Sequence, residues 1–170
     1  MVTRRQAREW AVMMLCECDL NPPESIETAL SAFWVMQSEL EFERVKAGEY
    51  GVREAFTGKG KKHMASLVNM QEFAEQRIRG VLNSMNEIDT ALEPCLENWE
   101  FYRLGTVERS VLRLGAWEIL HANDIPAAIV INEAVDLARF FSDSLSSKLV
   151  NGVLDRLAKS LSATQPASAE

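Results

Sequence analysis

Along nearly the whole chain, apolar residues recur at intervals of three and four and almost nowhere at intervals of two. Residues 3 to 19 set Ala7, Trp10, Ala11, Met14, Leu15 and Cys18 on one side of a helix, at spacings i, i+3, i+4, i+7, i+8 and i+11. No stretch alternates apolar and polar residues as a half-buried strand must, and no internal repeat occurs. Only eight glycines and five prolines interrupt 170 residues, so the breaks are few and readable. The pattern predicts an all-α chain of about seven helices: one domain over 1–161, then a disordered tail over 162–170, "SATQPASAE".

The breaks divide the chain. Pro22 and Pro23 stop the first helix, and Ser25 is placed to cap a second running to about residue 42 through Ile26, Leu30, Phe33 and Trp34. From Glu43 to Lys62 the periodicity dissolves among four glycines, so the segment 43–65 is expected to be a flexible insertion. Its Lys59, Lys61 and Lys62 suit a solvated tip. A third helix is predicted over 65–84, and "NEID" leads into a fourth ending near Trp99. Gly105 breaks the chain again, with Thr106 as the expected N-cap and Glu108 in the first turn, where a carboxylate suits the helix dipole. Val111, Leu112, Gly115, Ala116, Ile119 and Leu120 form a surface too broad for a peripheral helix, which marks this one as central. Pro126 forces an extended link after it, and a helix over 127–141 follows.

The closing helix, "SSKLVNGVLDRL", holds an Asn-Gly pair inside an otherwise regular apolar stripe. A glycine in a helix interior costs about 1 kcal/mol relative to alanine. Gly152 points away from the stripe and shares its side with Lys148, Asn151 and Asp155. A bare spot ringed by polar residues lets another backbone come close, from this chain or from a partner.

Composition limits the function. A formal net charge of -7 and a pI of about 5.0 exclude nucleic-acid binding by bulk attraction, so any such role must rest on a local patch. Five acidic and no basic residues between Glu87 and Glu100 exclude that segment from the patch. No apolar run approaches the roughly 20 residues of a membrane span. Arginines precede an apolar stretch at the start, but Glu9, Glu17 and Asp19 interrupt it, and a cytoplasmic protein is expected. The three cysteines, Cys16, Cys18 and Cys95, give no disulfide framework. Cys16 and Cys18 diverge by about 200° on a helix, which disfavours a metal site with His63 or His121. There is no glycine-rich phosphate loop, nucleophile elbow or H-E-x-x-H, so neither an enzyme, a cofactor nor a metal is expected.

The amino terminus is more informative. Arg4, Arg5 and Arg8 fall within an arc of about 100° beside the apolar stripe, a cationic patch suited to gripping phosphates. Together, "RRQAREWAVMML", "RLGTVERSVLRLGAWEIL", "DIPAAIVINEAVDLARFF" and "KLVNGVLDRL" resemble the NusB family of bacterial transcription antitermination factors, in order and spacing. The resemblance implies two small helical bundles that bind the boxA element of nascent ribosomal RNA with NusE, the ribosomal protein that doubles as a Nus factor. It also implies a place in the RNA polymerase elongation complex through other Nus factors.

Carried over by position, it implies RNA contacts at Arg4, Arg5 and Arg8 and at Lys148, Leu149 and Asn151, and a protein partner at Glu108. Gln6, Cys16 and Leu149 replace the arginine, tyrosine and phenylalanine common in relatives, which implies weak RNA affinity without a partner. The competing expectation is a helical protein–protein module, or a homodimer covering its own arginines. The NusB-like domains of RNA methyltransferases offer no third reading, because a cofactor domain would not fit in the remaining residues.

Overall fold

The computed structural model describes residues 3–46, 58–97 and 99–164. Among these the chain forms seven α-helices, two short 3-10 turns and no strand. The helices are α1 (Arg4–Leu20), α2 (Ile26–Lys46), α3 (Gly58–Asn83), α4 (Met85–Leu92), α5 (Thr106–His121), α6 (Ala127–Phe141) and α7 (Ser144–Thr164). They divide into two compact units, residues 1–76 and 77–170, with the division inside α3. No helix among the described residues is long and apolar enough to cross a membrane.

Several boundaries differ from the sequence expectation. The 43–65 segment is helical at both ends, because α2 continues through residue 46 and α3 starts at Gly58. Glu, Arg and Lys are good helix formers, and glycine is cheap at a helix start. The middle of that segment, 47–57, lies outside the described residues. The fourth helix ends at Leu92, not near Trp99, since Pro94 cannot donate to the ladder and turns the chain into the 3-10 segment Glu93–Cys95. Gly105, not Thr106, is the N-cap of α5. The closing helix also runs through 162–164, where a disordered tail was expected, and 165–170 lie outside the described residues.

In the first unit, Thr3 caps α1 by accepting from the Gln6 N–H at 3.3 Å, and Ser25 accepts from Thr28 N–H at 3.3 Å to start α2. Trp34 meets Trp10 edge-to-face at 5.6 Å between centroids and Phe33 at 5.0 Å.

The second unit is built around α5, which buries every residue from Ser110 to Glu118 and packs against α4, α6 and α7. Gly115 permits the close approach of α7: a Cβ there would lie 2.6 Å from a Leu154 methyl. At the core of the unit, Arg77 of α3 donates to Glu118 at 2.5 Å, with side chains only 3% and 1% exposed. The guanidinium also lies 5.9 Å from the centre of the Trp117 ring. Arg113 makes a two-pronged pair with Asp89 of α4, at 2.9 and 2.8 Å, and stacks 5.1 Å from Phe101.

Removing one member of a buried pair leaves its partner charged and unsolvated, at about 3–5 kcal/mol. Urea unfolding of Glu118→Ala should therefore show a loss on that scale, far above the near-zero loss expected from Glu100→Ala at the exposed Arg103 pair.

Candidate nucleic-acid interface

The residues expected to meet RNA belong to both units. Arg4, Arg5 and Arg8 lie on α1 in the first, and Lys148, Leu149 and Asn151 on α7 in the second, as does Glu108 on α5.

On α1 the three arginines are not equivalent. Arg4 is exposed, and Arg5 is half-buried and donates to Glu9 one turn on at 3.0 Å. Arg8 departs from the expected open patch: it is 4% exposed. Both Arg4 and Arg8 place their guanidinium groups 5.4 Å from the centre of the Phe73 ring on α3, a contact that no sequence spacing could reveal. The apolar stripe predicted for α1 had placed Arg8 beside it, and the side chain follows the stripe into the interior.

The first turn of α1 contains no acidic residue. Its arginines sit at the positive end of the helix dipole, where a cation loses about 0.3–1 kcal/mol. Backbone N–H groups at the same end also seek acceptors. Arg4 and Arg5 are thus placed against the preference of their own helix, in a position that an arriving phosphate would relieve. The Arg5–Glu9 pair, about a quarter exposed on each side, is of the weak surface kind and leaves Arg5 able to exchange partners.

On α7, Lys148 and Asn151 are exposed and Leu149 is half-buried. The helix starts from Asp143, whose Oδ1 accepts from the N–H groups of Leu145 and Ser146, each at 2.8 Å. Those bonds, Ser146 first, hold its carboxyl below the ordinary aspartate range. The D-x-x-S run at 143–146 is a cap signature that the sequence reading passed over.

Glu108 is half-buried at the start of α5. Its Oε1 accepts from Ser146 at 2.5 Å and from Ser142 at 2.9 Å, tying α5 to the α6–α7 junction. Burial alone would raise its carboxyl, but bonds from Ser146, its own backbone N–H and Ser142 outweigh that and hold it below the ordinary range. The expected partner-facing charge is therefore also an internal tie. Phe140 and Leu145, on either side of Ser142 in sequence, are 64% and 71% exposed, two large apolar side chains that the sequence reading did not single out.

The chain matches the sequence model of the NusB family over residues 5–159. It is 36% identical to the transcription antitermination protein NusB of Helicobacter hepaticus over 161 residues, covering 94% of this chain and 83% of the relative. Its structure is similar to T. maritima NusB, with a TM-score of 0.67 at 29% identity over 93% of this chain and 92% of that one. It is also similar to a chain in the crystal structure of antitermination factors NusB and NusE in complex with dsRNA, with a TM-score of 0.62 at 27% identity over 92% and 96% of the two chains.

The lowered carboxyl of Glu108 fixes the sign of a pH effect. Its contribution is complete above the ordinary glutamate pKa and is lost as pH falls through the lower folded value. Glu108→Gln should cost about 1 kcal/mol or less at pH 7, given its partial exposure, and the difference from the parent should fade toward about pH 3. Urea unfolding of both proteins across that range checks it.

Proposed function

The chain belongs to the NusB family, and from that premise we propose that it is a non-catalytic, cytoplasmic RNA-binding adaptor in transcription antitermination. On this reading it holds boxA-type elements of nascent ribosomal RNA together with NusE, and joins the RNA polymerase elongation complex through other Nus factors. The observation that carries the reading is the family match across residues 5–159, nearly the full described chain.

The local chemistry supports it. Arg4 and Arg5 are the α1 cations accessible to a phosphate, while the buried Arg8 acts indirectly, holding α1 against Phe73. Lys148 and Asn151 supply a second polar set, with Leu149 as its apolar neighbour. So few cations on a chain of net charge -7 give weak binding to RNA alone, and NusE completes the grip. For the protein partner, Glu108 beside the exposed Phe140 and Leu145 has the make-up of an interface, apolar anchors next to a polar rim.

The test is a binding experiment with a boxA-type RNA, with and without NusE. Arg4→Ala combined with Arg5→Ala should weaken RNA binding about tenfold or more, because each fork onto phosphate or a base edge is worth roughly 1–3 kcal/mol. NusE binding in the absence of RNA should stay unchanged. Glu108→Lys should act in reverse, weakening NusE first and RNA only through the joint complex. Both variants should melt cooperatively. Unaltered RNA affinity in the folded double variant would remove α1 from the RNA site.

A further inference from the structure

We propose that the ribose–phosphate backbone of the bound RNA lies directly on the bare surface of α7 at Gly152, between Lys148 and the Asp155–Lys159 pair. The inference rests on the RNA-binding reading above and adds a contact point to it.

Gly152 stands in the interior of a 21-residue helix, where glycine is disfavoured. Within the chain nothing requires it: a Cβ built there meets no atom within 4 Å, whereas the same construction at Gly115 runs into Leu154. Glycine in such a place serves the close approach of something from outside.

The surroundings say what kind of surface approaches. Lys148 and Asn151, one turn before Gly152, are exposed, and neither side chain has a hydrogen-bond or ion-pair partner among the described residues. Asp155, one turn after, would repel an anion, but its carboxylate is held by Lys159 at 2.6 Å. The strip therefore carries a net positive charge on a chain of net charge -7. Charge complementarity favours a polyanion over a second copy of this acidic chain. The Lys148 ammonium suits a phosphate oxygen. The Asn151 amide can donate to a phosphate and accept from a 2′-hydroxyl, a group DNA lacks. Between them, the missing side chain at Gly152 lets the strand settle against the helix backbone.

The test uses the full chain with NusE and a boxA-type single-stranded RNA oligonucleotide, its affinity read by fluorescence anisotropy. Gly152→Ala and Gly152→Gln both place better helix formers at an open site, so each should melt at or above the parent temperature. Their RNA affinity should move the other way, falling a few-fold for alanine and about tenfold for glutamine, the scale of an overpacked contact. Lys148→Ala should weaken RNA binding as well, with NusE binding in the absence of RNA unchanged throughout. If the parent binds the oligonucleotide and Gly152→Gln binds it equally well, the contact at Gly152 is overturned while the RNA-binding reading stands. If Gly152→Gln instead loses NusE and keeps RNA, the strip belongs to a protein partner and the proposal is again overturned. A parent that binds no RNA, with or without NusE, defeats the underlying reading and this contact with it.

Discussion

The Arg77–Glu118 pair is the constraint around which the second unit is arranged. Two charges with almost no solvent access must satisfy one another, and they do so at 2.5 Å between α3 and the middle of α5. Arg113, five residues before Glu118 on α5, does the same with Asp89 of α4. Apolar packing alone would tolerate small shifts of α5 along its axis. Two ion pairs to two different helices fix its register, because any slip would strand a buried charge. With α5 so fixed, its first turn holds Glu108 against Ser142 and Ser146, and thereby sets where α7 begins.

The opposite logic governs the outer surface. Where the interior satisfies every buried charge it can, the start of α1 and the Gly152 strip of α7 hold groups their own helices would rather not carry there. Arg4 and Arg5 sit at the positive end of a dipole, and a glycine interrupts a helix that needs no glycine. Both arrangements cost stability in the isolated chain, and both make sense once a negatively charged strand is present. The acidic remainder of the molecule keeps that attraction local, so binding depends on a few well-placed groups and on a second protein.

Much of this was legible in the sequence because it depends on short-range patterning. The three-and-four spacing gave the helices, Ser25 marked the start of α2, and the breadth of the apolar surface identified α5 as central. Misjudged boundaries trace to single residues: Pro94 ends α4 early, and Gly105 takes the cap position expected of Thr106. What could not be read depends on distance along the chain. Arg77 and Glu118 lie 41 positions apart, and Arg113 and Asp89 lie 24 apart, so nothing in local spacing pairs them. Arg8 looked like its exposed neighbours until Phe73, from another helix, came to lie against it. Gly152 is the reverse case, since its outward orientation was evident from the helical wheel and only the structure could show that the space around it is open.

The central claim, that an acidic helical adaptor holds RNA through a small set of named cations, is tested most directly by the salt dependence of RNA binding in the presence of NusE, after subtracting the slope of NusE alone. Each phosphate neutralised on a single strand contributes about -0.7 to the slope of log K against log salt. Arg4, Arg5 and Lys148 together should give a slope of about -2. A slope near zero would mean that these cations do not meet phosphates. A slope of about -5 or steeper would mean that the RNA lies on a larger basic surface than the one described.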